Sequence, residues 1–182
     1  MKRVAICSVA LLWAAGCTTN AQRMTPSVEA APAVASPRYD GSVHVTVVGG
    51  KETNPLWAPE IGDAAFCTAV ENAVEKSGVF TGIGGEEAPY RLGVRILHYS
   101  QPTMGLDFNI AMESAWTLTD SRGKVLWSDS IKSRYKAKWG DAFIAAERVQ
   151  KAKEGAAREN IRLGVESLNS RWRSKTSMPG KA

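Results

Sequence analysis
Cysteine, histidine and long apolar runs are all scarce in this sequence. The chain has three cysteines and two histidines in 182 residues. Cys7 lies inside an apolar leader and Cys17 at its end, so Cys67 stands alone in the remainder. One thiol cannot close an internal disulfide, and one cysteine with two histidines is too few for a structural zinc site. The apolar run at residues 4–13 is about half of the ~20 residues that cross a bilayer, which excludes it as a membrane span. Strong charge of one sign is missing too. The formal net charge is +5, of which Lys2 and Arg3 carry two, leaving about +3 beyond the leader. That is far from the concentrated field of a nucleic-acid binder, and no nucleic-acid partner is expected.

Motifs for nucleotide chemistry are incomplete. Gly49-Gly50-Lys51 has Val45 where a phosphate loop needs its first glycine, and Glu52 where it needs Ser or Thr. Gly82, Gly84 and Gly85 follow a helical pattern and not a strand, the wrong order for a dinucleotide fingerprint. A nucleophile pair would need Cys67 beside His44 or His98. Cys67 instead adjoins an apolar helical stripe, and His98 falls on the apolar side of its strand pattern. Asp107, Glu113, Asp120 and Asp129 sit at alternating or turn positions with no pair marked out for acid–base work. The expectation is therefore a protein that is not an enzyme, with no cofactor and no metal. The alternative of another class is an envelope hydrolase, which mutation of His98, Cys67 or a sheet carboxylate would have to reveal.

What is present begins at the N-terminus. Lys2 and Arg3 precede the apolar run, and Ala14-Ala15-Gly16 lead into Cys17. This resembles the lipobox of bacterial lipoproteins, with Ala14 where leucine is usual. It implies a signal peptide over residues 1–16 and acylation, including palmitate, at Cys17. Thr18, in place of the aspartate that resembles an inner-membrane retention signal, points to the outer membrane with the domain in the periplasm. Residues 17–40 hold Pro26, Pro32 and Pro37 among Ala, Ser and Thr. With few large apolar side chains, they are expected to form a disordered tether reaching on the order of 60 Å.

Folding is expected over residues 41–172, with 173–182 a flexible tail. Val43, Val45 and Val47 alternate with polar residues as a strand does. Residues 60–77 carry Ile61, Ala65, Phe66, Ala69, Val70, Ala73 and Val74 at helical spacing, and Gly78 is placed to cap that helix. Three alternating stretches follow, near 90–99, 106–119 and 124–135, the last two joined by the turn Asp120-Ser121-Arg122-Gly123. A final helix runs from Asp141, a suitable N-cap, to about Trp172, with Gly155 and Gly164 as the places where a break could occur. The order β-α-β-β-β-α describes a single α+β domain, a mainly antiparallel sheet packed on two helices.

The string Val48-Gly-Gly-Lys-Glu-Thr-Asn-Pro-Leu-Trp57, then Phe66 and residues 69–78, then residues 148–168 with Ala152, Glu154, Arg158 and Asn160, resemble bacterial envelope lipoproteins of the YajG type. The element order is also similar to the small domains of lipoproteins that activate peptidoglycan synthases or assist lipid transporters. That resemblance implies location and fold without a mechanism. The role it suggests is non-enzymatic binding or scaffolding in the cell envelope. The alternative is an auxiliary subunit or activator of an envelope machine, a lipid transporter or a peptidoglycan synthase. The expected partners are the membrane, through the lipid anchor, and an envelope protein.

Two stretches are candidates for binding that partner. Asn54, Pro55 and Trp57 form a loop stiffened by Pro55 and Pro59, where a tryptophan is suited to anchoring a neighbour. Residues 132–139 form a basic, aromatic strand end with Arg134, Lys136 and Trp139, able to meet headgroup phosphates, lipopolysaccharide or wall polymers. A cationic strand end also resists strand-on-strand pairing.

Overall fold
The computed structural model describes residues 20–27, 37–51, 60–100, 108–138, 140 and 144–176. Five strands make one sheet: β1 (Tyr39–Val48), β2 (Phe80–Ile83), β3 (Tyr90–Tyr99), β4 (Phe108–Asp120) and β5 (Val125–Ala137). Their order is β2-β1-β3-β4-β5. β3, β4 and β5 form the expected antiparallel meander. β1 instead lies parallel to both β2 and β3, so the sheet is mixed. Three helices cover one face: α1 (Ala21–Met24), α2 (Asp63–Ser77) and α3 (Ala145–Thr176).

The helix α2 buries Phe66, Ala69, Val70, Ala73 and Val74, the stripe that the sequence carries. It ends as expected: Gly78 has φ of 66° and donates its N–H to the Glu75 carbonyl. That left-handed conformation is cheap only for glycine. Val79 then turns into the core and leads directly into β2, a strand absent from the sequence reading. Four residues containing Gly82 carry too little alternation to be recognised, and β2 exists because β1 offers it a parallel edge.

The helix α3 runs through Gly155 and Gly164 without a break, and the N-cap candidate Asp141 lies outside the described residues. Gly155 and Gly164 serve packing. A Cβ on Gly164 would stand 2.5 Å from Trp116 Cζ2, and one on Gly155 would stand 2.4 Å from Tyr135 Cδ1. The rings of β4 and β5 therefore press against bare helix backbone. Among the described residues no helix is long and apolar enough to cross a membrane.

Two β-bulges correct the expected facing of side chains. The β3–β4 register shifts between Ile96 and His98. Beyond the shift His98 is exposed and Tyr99 buried, the reverse of the sequence expectation. A second shift between Leu118 and Thr119 leaves Val125 exposed. An extra residue in one strand reverses every later side chain.

The expected tether also needs correcting over residues 20–27. Asn20 caps α1, its side chain accepting the Gln22 N–H at 2.8 Å. Met24 is fully buried against the core. The packing surfaces for α1 are α2 and α3. Glu154, buried within α3, accepts the Asn20 N–H at 3.0 Å and lies 3.7 Å from the Arg23 guanidinium. Arg158 donates to the Arg23 carbonyl at 3.1 Å. A four-residue helix has no stability of its own; these contacts supply it.

Candidate partner-binding end of the sheet
Because β1 and β3 run parallel and β4 and β5 alternate against them, four strand termini meet at one end: Val48, Tyr99, Phe108 and Ala137. In sequence, residues 52–59 come after β1 and residue 139 after β5. Asn54, Pro55, Trp57 and Trp139 lie outside the described residues, as does Cys17. Arg134 and Lys136 are described, exposed, and paired in register with Ala111 and Asn109.

The frame around segment 52–59 is closely held. At its start, Gly50 donates to Asp63 Oδ1 at 2.6 Å and Lys51 donates to the Ile61 carbonyl at 2.9 Å. A Cβ on Gly49 would meet the Ile96 carbonyl oxygen at 2.4 Å, and one on Gly50 the Ile61 carbonyl oxygen at 2.6 Å. The double glycine serves close backbone approach, and the backbone amide of Gly50 is used internally.

At the far end of that segment Glu60 joins the core. Lys153 of α3 is completely buried and places its ammonium 2.9 Å from Glu60 Oε2. The Tyr99 hydroxyl donates to the same oxygen, and the Lys153 ammonium lies 5.3 Å from the Tyr99 ring centre. The bulge after Ile96 is what turns Tyr99 toward these partners. Burial alone would raise the Glu60 carboxyl, but the hydrogen bonds from Tyr99 and Lys153 outweigh it and hold the group below its ordinary range. Burial, with the adjacent carboxylate, pushes the Tyr99 phenol up. Tyr99 is thus kept protonated as a donor. The trio clamps three elements; sequence reasoning missed it because its members are 39 and 54 residues apart and its geometry depends on the bulge.

The candidates for chemistry are not brought together. Cys67 directs its thiol at the Val45 carbonyl, 3.7 Å away. Burial, then the nearby Glu71 and Asp63 carboxylates, push that thiol up to about 11, the opposite of an activated nucleophile. His44 lies beside the Gly84 carbonyl at 3.4 Å, and His98 is exposed opposite Glu113. Asp129 accepts from Ser167 at 2.5 Å and ties the edge of β5 to α3. Asp120 accepts two backbone N–H groups of its own turn. Among the described residues no group of three or more His, Cys, Asp or Glu side chains could hold a metal ion.

A second polar feature lies on the helix side. An open groove of about 530 Å³ runs between α1, α2 and α3, with Gln22, Thr25, Asn72, Lys76 and Arg158 on its walls.

No family model and none of the curated proteins matches the sequence. Solved structures do. A DUF330 protein from Xanthomonas campestris is 15% identical, covering 85% of this chain and 98% of its own, with a TM-score of 0.58. The dodecameric PelC from Paraburkholderia phytofirmans is 18% identical over 76% of this chain and 93% of its own, with a TM-score of 0.50. A minor lipoprotein from Acinetobacter baumannii is 6% identical over 72% of this chain and 94% of its own, with a TM-score of 0.47. None of these names is that of an enzyme, and at such identities it is the fold, in the first two cases, that this chain shares with them.

Proposed function
We propose that this chain is an outer-membrane lipoprotein, acylated at Cys17, whose periplasmic domain works by binding or scaffolding and not by catalysis. The observation that carries the reading is the leader: Lys2 and Arg3, a short apolar run, then Ala14-Ala15-Gly16 before Cys17. The raised Cys67 thiol, which meets the Val45 carbonyl while His44 lies beside the Gly84 carbonyl and His98 is exposed, supports a non-catalytic domain. The finer resemblance to YajG-type lipoproteins rests on the sequence pattern alone. The loop with Asn54, Pro55 and Trp57 and the strand end with Arg134, Lys136 and Trp139 are the proposed partner contacts, since the topology brings their flanking strand termini to one end of the sheet.

The test is in-cell photocrosslinking from position 57, in the wild type and in Cys17→Ser. One envelope protein captured by the anchored chain alone assigns an accessory role and identifies the machine, whether lipid transporter or wall synthase. A product at twice the chain's own mass assigns a second copy, the kind of assembly that PelC's dodecamer illustrates for this fold. Equal capture by the Cys17→Ser chain, recovered in the soluble fraction like the wild type, overturns the lipoprotein reading.

A further inference from the structure
We infer that the open face of the sheet is a docking surface for a linear polyanion lying on the side away from the protein's own membrane. Among the described residues this face carries no helix. Its row on β4 is small or neutral apart from Glu113, with Ala111, Ala115 and Thr117 half-buried between their neighbours. On either side stand five exposed cations: Arg91 and Arg95 on β3, and Lys132, Arg134 and Lys136 on β5. The register sets their order along β4. Arg91 stands opposite Thr119, Arg95 opposite Ala115, Lys132 opposite Glu113, Arg134 opposite Ala111 and Lys136 opposite Asn109. They form a diagonal band roughly 34 Å long, crossing β4 from one flanking strand to the other, which are about 10 Å apart. Glu113 stands within it, 3.5 Å from Lys132.

Defence of an exposed edge accounts for the cations of β5. It does not account for Arg91 and Arg95, because β3 is an interior strand paired on both sides. Arg95 and Arg134 make no ion pair among the described residues, and Arg91 donates only to the Glu86 carbonyl. A row of guanidinium and ammonium groups at steps of about 7–13 Å over a shallow floor suits an extended chain of phosphates or carboxylates. Among the described residues this face offers a folded acidic protein no exposed aromatic anchor.

The side on which that polymer lies rests on the acylation of Cys17 proposed above. Two residues, Thr18 and Thr19, lie between Cys17 and Asn20, so the three backbone steps reach about 10 Å at full extension. Asn20 is fixed to Glu154, and α1 to α2 and α3. The anchor thus holds the helix layer, with its Lys76 and Arg158 groove, next to the bilayer. The cationic face lies on the far side of the packed layers, about 20 Å away, beyond the headgroups of its own membrane.

The test reconstitutes the full acylated chain into phosphatidylcholine vesicles and titrates it with labelled polyphosphate and, separately, polygalacturonate. Saturable binding of at least one polymer is expected, weakening steeply with salt; which one binds tells phosphate from carboxylate recognition. Arg95→Glu with Arg134→Glu should lower the affinity more than about tenfold, while Lys76→Glu, on the helix side, changes it less than about twofold. The milder Arg95→Gln with Arg134→Gln serves if charge reversal disturbs the circular dichroism spectrum. Binding of neither polymer, or equal losses in the helix-side and sheet-side variants, overturns the docking surface. Displacement of polymer when phosphatidylglycerol is built into the same vesicles overturns the orientation. If the wild type proves not to be acylated, polymer binding by the unanchored chain still tests the surface, and only the orientation falls.

Discussion

The two faces of this sheet handle polar groups in opposite ways. On the helix-covered face they are satisfied in pairs. Ser114 donates to Asn160 at 2.5 Å and accepts the Trp116 indole N–H at 2.8 Å, while Asn160 donates to the Ile131 carbonyl at 3.0 Å. Ser133 donates to the Ala156 carbonyl at 2.9 Å, and Lys153 meets Glu60. Each of these groups thereby recovers what it loses on leaving water, although Asn169 Oδ1, also buried in α3, accepts no hydrogen bond among the described residues. These bonds set the height of α3 over β4 and β5, which apolar packing alone leaves loosely determined. On the open face water does that work, and cations stand at register positions where cohesion does not require them. The covered face specifies the fold; the open one is free for selection by a partner.

The sharpest way to break this comparison is Lys153→Ala. The substitution removes a fully buried ammonium and leaves Glu60 with one partner fewer. Breaking such a pair costs about 3–5 kcal/mol, read as a fall in the denaturant midpoint with an unchanged slope. Lys153→Met keeps the apolar stem and should cost less, about 1–2 kcal/mol, because Glu60 retains Tyr99 and some access to water. Equal losses in the two variants would mean that the stem contributes little and that the ion pair carries the whole effect; no loss in Lys153→Met would mean that packing alone holds the covered face.

A smaller effect separates the two faces through their glycines. On Gly164 of α3, a Cβ would meet Trp116 at 2.5 Å, and that indole is fully buried and bound to Ser114. Gly164→Ala should therefore destabilise by about 2 kcal/mol, overpacking outweighing the better helix propensity of alanine. On Gly93 of β3, a Cβ would find its nearest neighbour, Thr46 Oγ1, at 3.8 Å. Gly93→Ala should stay within about 0.5 kcal/mol of the wild type. Thermal unfolding of both variants checks the contrast, and a destabilised Gly93→Ala would show that the open face is packed more tightly than it looks.

How much of this was legible follows from which forces act locally. The stripe of α2 and its Gly78 cap are written in nearest-neighbour spacing and hold throughout, while the alternation of β3, β4 and β5 holds only as far as the two bulges. The short strand β2 and the helix α1 were not legible. Each is stabilised from outside, β2 by the edge of β1 and α1 by Glu154 and Arg158 more than a hundred residues away. The bulge at Ile96–His98 leaves the apolar alternation unbroken up to the point where it reverses, so His98 and Tyr99 were assigned to the wrong faces. The cationic band was half legible. Arg134 and Lys136 stand out as alternating exposed positions, but Arg91 and Arg95 join them only through a register that a sequence does not state. The clamp of Glu60, Tyr99 and Lys153 was hidden for both reasons.

That clamp also gives the covered face a pH signature. The Glu60 carboxyl is held below its ordinary range in the folded chain. The unfolded chain therefore binds this proton first as the pH drops, and the stabilisation is present above the ordinary carboxylate range. It is lost as the pH falls through about 4 and below, toward the depressed folded value. Glu60→Gln removes the titrating group, so its stability should fall less steeply than the wild type's over that interval. At neutral pH the variant should be weaker by roughly 1 kcal/mol, a charge-assisted hydrogen bond having been exchanged for a neutral one. Chemical denaturation at neutral pH and again near pH 3.5 measures both numbers. Convergence of the two proteins in acid locates the sensitivity on the covered face; parallel curves would assign it elsewhere in the chain and leave Glu60 as a neutral spacer between α3 and β3.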